Sequence, residues 1–99
     1  SPARIEAYSA ASTLPPDITD ACFTVDGRHV LIRQKARRNT VKVLDSATWQ
    51  VVDKFRVPRL EQPESIAADP DGKHVWIGSE GVNSPLIRVP LPDQWVTTP

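Results

Sequence analysis

Pro63-Glu64-Ser65-Ile66-Ala67-Ala68-Asp69-Pro70-Asp71-Gly72-Lys73-His74-Val75-Trp76-Ile77-Gly78-Ser79-Glu80-Gly81 is the stretch whose reading decides the fold. Ser65 to Asp69 reads as a short apolar strand, and Asp69-Pro70-Asp71-Gly72 as a tight turn. His74 to Gly78 reads as a second strand, rich in β-branched and aromatic residues. Proline presets φ at the second turn position, and glycine supplies the positive φ that lets the chain reverse. The stretch is therefore an antiparallel hairpin, and it occurs twice. Asp26-Gly27-Arg28-His29-Val30-Leu31-Ile32 matches Asp71-Gly72-Lys73-His74-Val75-Trp76-Ile77, with Gly27 and Gly72 separated by 45 residues.

A repeat of that length in a strand-rich chain is the signature of β-propeller blades. Working outward, Ile18 to Thr24, Val30 to Arg33, Thr40 to Leu44 and Trp49 to Val57 read as the four strands of repeat one, about 18–62. Lys35 to Asn39 is a basic loop between them, and Asp45-Ser46-Ala47-Thr48 a turn whose side chains can bond backbone N–H groups. In repeat two, about 63–99, Ser65 to Asp69, His74 to Gly78 and Leu86 to Val89 repeat the first three strands, with Gln94 to Thr98 a weak further candidate. Arg4-Ile5-Glu6-Ala7-Tyr8 alternates polar and apolar residues and has no place in repeat one. Its spacing to the next inner strand makes it the outer strand that completes the last blade, in the same molecule or another. The expected fold is all-β: two four-stranded antiparallel propeller-type blades in one unit spanning 1–99.

The 99 residues form one domain at most, 39% hydrophobic and 24% charged, with no apolar run long enough to span a bilayer. The ten prolines fall mainly between apolar runs, as they do where strands are short and turns frequent. Twelve basic and twelve acidic residues leave no net charge, so nothing steers the chain towards nucleic acid or an anionic membrane. The single cysteine, Cys22, lies in an apolar stretch, has no partner for an intrachain disulfide, and reads as a buried, inert thiol.

Thr40-Val41-Lys42-Val43-Leu44-Asp45-Ser46-Ala47-Thr48-Trp49-Gln50-Val51-Val52, followed by Pro63-Glu64-Ser65-Ile66-Ala67 and Asp69 to Ile77, resembles the YVTN-type β-propeller repeat of surface-layer, secreted and lactonase-like proteins. The resemblance covers about Ile18 to Pro92. It implies an extracellular or cell-envelope location and says little of activity. Val75-Trp76-Ile77-Gly78 stands where the family has Tyr-Val-Thr-Asn, and Glu64 replaces the usual small residue before the inner strand. Two blades do not close a ring, which takes about four to eight. The expected partners are therefore other blades, supplied by the rest of a larger protein or by identical copies. A trimer would hold six blades and a tetramer eight.

Glu64 and Glu80 bracket the hairpin of repeat two, and antiparallel pairing brings their ends together. Their counterparts in repeat one are Thr19 and Lys35, so the carboxylates are no part of the repeat's own structural chemistry. With Asp20 they are the candidate ligands for a hard cation such as Ca²⁺. Two or three carboxylates fall short of a shell of six to eight oxygens, so solvated carboxylates, with Asp20 bonding backbone N–H groups, are the plainer reading. His29 and His74 are repeat equivalents with no metal-binding spacing between them. Arg33, Lys35, Arg37 and Arg38 form one basic cluster, read as a solvated tip because no aromatic residue interleaves. Trp76 reads as inter-sheet packing, and Trp95, among prolines, as an exposed candidate for ligand stacking. No nucleophile motif or phosphate loop is present. The expectation is a non-enzymatic binding or scaffolding unit without a required cofactor. The alternatives are part of a cation-dependent propeller hydrolase (lactonase or phytase-like esterase) and a self-assembling lectin-like ring.

Overall fold

The computed structural model describes residues 14–98. The predicted strand 4–8 lies outside them. Seven strands follow in order: β1 (Ile18–Phe23), β2 (His29–Gln34), β3 (Arg37–Asp45), β4 (Val51–Arg56), β5 (Pro63–Ala68), β6 (His74–Ser79) and β7 (Leu86–Pro90). They form two antiparallel sheets, a four-stranded sheet A ordered β1-β2-β3-β4 and a three-stranded sheet B ordered β5-β6-β7. The described residues contain no α-helix. The weak strand expected at 94–98 is instead a single 3₁₀ turn over Asp93–Trp95. Two other boundaries differ from the sequence reading. β3 begins at Arg37, so the basic loop shrinks to Lys35 and Ala36, while β4 begins only at Val51 because Trp49 takes a φ of 61°.

The repeat holds in three dimensions, bond by bond. Ala21 faces Ile32 as Ile66 faces Ile77, and Leu31 faces Val43 as Trp76 faces Arg88. The Asp-Gly corners match as well. The Thr24 N–H donates to the His29 carbonyl at 2.9 Å and the Asp69 N–H to the His74 carbonyl at 3.0 Å, with Gly27 and Gly72 at φ 73° and 71°. In both corners the aspartate accepts the backbone N–H two residues on, from Arg28 at 3.0 Å and from Lys73 at 2.7 Å. Such local bonds hold each turn from within.

Side chains alternate across a strand, so each sheet has two faces. From sheet A, Leu31, Val41, Val43 and Phe55 enter one core cluster, together with Ile66, Val75, Ile77 and Val89 of sheet B. The opposite face of sheet A carries Val30, Ile32 and Leu44, which cluster with Leu14 and Trp49. By the 45-residue offset, Val75, Ile77 and Val89 are the counterparts of Val30, Ile32 and Leu44. The sheets therefore pack head to tail, the Leu31 face of one against the Val30-type face of the next.

That arrangement corrects the reading of Trp76. It occupies the site of Leu31 in repeat one, but in repeat two that face points away from sheet A. Trp76 is half-buried there, its Nε1–H donating to Asp69 at 3.1 Å and the Arg88 guanidinium lying 6.0 Å from its ring centroid. Arg88 also bonds Asp69 at 3.0 Å and Asp71 at 2.9 Å, while Asp71 meets His74 Nδ1 at 2.7 Å. The Asp71 N–H, then Arg88 and Trp76, hold the Asp69 carboxyl down at about 2 from an ordinary 3.8, against a smaller opposing effect of burial. A folded-state value below the unfolded one stabilises the fold above the unfolded value and ceases to do so as protons bind the folded state. Stability should therefore fall as pH drops from about 4 towards 2, and Asp69→Asn should flatten that limb in denaturant titrations across the range.

Arg33 departs from the expected solvated tip. It is fully buried, with its guanidinium donating to the Thr40 and Arg38 carbonyls at 3.4 and 3.3 Å and its Nε unpartnered. Burial pushes its pKa down. Cys22 is half-buried rather than fully enclosed. Its thiol is pushed up to about 11, chiefly by burial and further by the Asp20 charge, so it stays protonated and unreactive at neutral pH.

Candidate functional site

The sheets meet most closely where β1 and β2 approach β5. At the end where β1 and β5 begin and β2 and β6 finish, they part around a cleft of about 510 Å³. Its chemistry comes from two repeat-equivalent pairs, Thr19 with Lys35 and Glu64 with Glu80, joined by Arg38 and Glu61. The backbone delivers both pairs in the same way. Thr19 is the extra residue of a β-bulge between Ile18 and Asp20, and Glu64 of a bulge between Pro63 and Ser65. A bulge re-aims the side chain it carries and interrupts pairing, a device common beside binding sites. Lys35 and Glu80 follow their strands at matching points: the Lys35 N–H donates to the Asp17 carbonyl at 3.0 Å, and the Glu80 N–H to the Gln62 carbonyl at 3.1 Å. One scaffold thus presents an ammonium from sheet A and two carboxylates from sheet B, with the Thr19 side chain beside them.

Arg38 and Glu61 neutralise each other at 3.1 Å, and Arg59 adds a further contact to Glu61 at 3.3 Å. Among the described residues, Lys35, Glu64 and Glu80 make no side-chain hydrogen bond or ion pair. The Thr19 hydroxyl is enclosed and likewise makes no hydrogen bond.

Of the three carboxylates singled out from sequence, Glu64 and Glu80 line this cleft, but Asp20 does not. Asp20 accepts the Ala21 N–H at 2.9 Å and, across the inter-sheet gap, the Ile66 N–H at 2.9 Å. β5 is an edge strand, and this carboxylate meets one of its outward N–H groups. Among the described residues, no three His, Cys, Asp or Glu side chains are grouped so as to hold a metal ion.

Trp95 is not the exposed platform expected. It is half-buried against the core, its Nε1–H donating to Asp53 at 2.7 Å and its ring meeting His29 edge-on at a centroid distance of 4.6 Å. The 3₁₀ turn is what lays it back over sheet A. Both histidines are half-buried and serve local structure, His29 against Trp95 and His74 on Asp71.

Sequence reasoning reached Glu64 and Glu80 by comparing the repeats. It did not reach Lys35 as part of the same site, because the inter-sheet geometry that brings the two repeats' equivalent ends around one opening has no local signature. The two bulges were equally silent in the sequence. The molecule so defined is an all-β protein built on two repeat-related sheets with a charged cleft between them. No protein-family model matches the chain, and no curated protein matches it. No helix among the described residues is long and apolar enough to cross a membrane.

Proposed function

We propose that the chain is a non-enzymatic binding or scaffolding unit of β-propeller type, two YVTN-like blades that form part of a larger ring. The observation that supports this most is the head-to-tail packing. A contact between two unlike faces of equivalent sheets leaves one face of each type at the ends, which is the geometry a ring of blades repeats. The outward face of sheet B is open, with Leu86 at 65% exposure where its counterpart Val41 is fully buried. Sheet B also lacks, among the described residues, the outer strand that β4 gives to sheet A. β7 is thus an edge of the kind that proteins cover, and residues 4–8 are the segment whose pattern suits it. The resemblance to secreted and surface-layer proteins supports an exported or cell-envelope location.

Light scattering across a range of concentrations, combined with amide exchange along β7, tests this reading. A closed trimer or tetramer is expected if identical copies supply the missing blades. If they come from a longer protein, the chain alone is a monomer whose outer β7 amides exchange fast. A monomer whose β7 amides stay protected as strongly as those of β2 even when residues 4–8 are removed would be a self-contained two-sheet domain and would overturn the proposal.

A further inference from the structure

We propose that the cleft between the two sheets is a recognition site for a basic α-amino acid. The ligand's carboxylate would be held by Lys35, and its two ammonium groups by Glu64 and Glu80. The inference deepens the reading of the chain as a binding unit by naming what this cleft takes. The first support is the charge arrangement. With Arg38 and Glu61 paired to each other, among the described residues one cation stands free on the sheet A wall and two carboxylates on the sheet B wall. The complementary molecule carries one negative and two positive groups, as lysine does with a carboxylate and an ammonium on its α-carbon and a second ammonium at the end of its side chain.

The second support is how these side chains are placed. Both bulge residues, Thr19 and Glu64, border the opening, and Lys35 and Glu80 occupy equivalent strand exits with matching backbone bonds. The backbone needs none of these four side chains, since the same turns and bulges form with either set. Their opposite chemistry is therefore free to serve something else. The third support is size: about 510 Å³ falls within the range of small-molecule sites. A bare divalent cation fits less well, because the Lys35 ammonium borders the same opening and opposes it.

The test is calorimetric and NMR titration of the full chain with L-lysine, cadaverine, norleucine and CaCl₂. L-Lysine is expected to bind with shifts centred on Thr19, Lys35, Glu64 and Glu80. Cadaverine lacks the carboxylate and norleucine the second ammonium, so each should bind about tenfold or more weakly, the scale of one charge-assisted contact. Glu64→Gln and Glu80→Gln should each weaken lysine by a similar factor. Lys35→Met should weaken lysine while strengthening cadaverine, whose two ammonium groups it no longer repels, a pattern that loss of folding would not give. Absence of lysine-induced shifts at millimolar concentration, equal binding of lysine and cadaverine, or binding of Ca²⁺ in preference to lysine would each overturn the inference. The cleft lies within one chain, so these outcomes are independent of the mass measurement that tests the ring.

Discussion

Gly72→Ala lowers the stability of the chain by about 3 kcal/mol, whereas Gly27→Ala costs ~1 kcal/mol. The two glycines hold the same position in the two corners, with φ values of 71° and 73°, so the conformational part of the cost is the same for both. What differs is the surroundings. A methyl group on Gly27 meets nothing within 4 Å, while one on Gly72 runs into the backbone carbonyl of Thr97. That carbonyl is fixed in place, because the Thr97 N–H donates to the Gly72 carbonyl at 2.8 Å. Relief requires the C-terminal segment to lift off the corner, which strains the seat of Trp95 against His29 and Asp53. Denaturant midpoints of the two variants measure the contrast directly. Equal losses would mean that the segment after Trp95 does not rest on the second corner.

Leu31→Ala lowers stability by about 2–5 kcal/mol, the range for removing a leucine from a close-packed interior. Leu31 has no exposed surface and stands in the inter-sheet core with Val43, Val75 and Ile77. The loss is a large share of the ~5–15 kcal/mol that holds a typical domain folded. Leu86→Ala in the monomeric chain should stay within ~0.5 kcal/mol, because Leu86 sits on the open face of sheet B. Urea unfolding of both variants provides the check. A Leu86→Ala loss approaching that of Leu31→Ala would mean that something covers the open face in solution.

The hairpins were legible because their signals are local. Asp-Gly corners, β-branched strands and a constant offset leave few alternatives, and from the corners to the bulges the observed registers follow them. Which face of each sheet turns inward was not legible. Val30, Leu31 and Ile32 are all apolar, so alternation does not rank the two faces of β2, and only the neighbouring sheet decides that Leu31 joins the shared core. Trp76 was misplaced for that reason. Arg33 was hidden in a run of basic residues whose polarity suggested solvent, although strand β2 carries it into the interior. Trp95 depended on a single 3₁₀ turn that no periodicity announces. Half of the cleft followed from repeat comparison, and the other half needed the distance between sheets.

The head-to-tail contact between the sheets also limits the symmetry of any larger assembly. A twofold axis brings identical patches together, so a symmetric dimer does not extend a contact whose two sides differ. Copies joined in the same sense share one direction, and the rotation per step then separates a finite closed wheel from an unending fibre. A substitution that altered only that angle would convert soluble particles into filaments without disturbing either sheet.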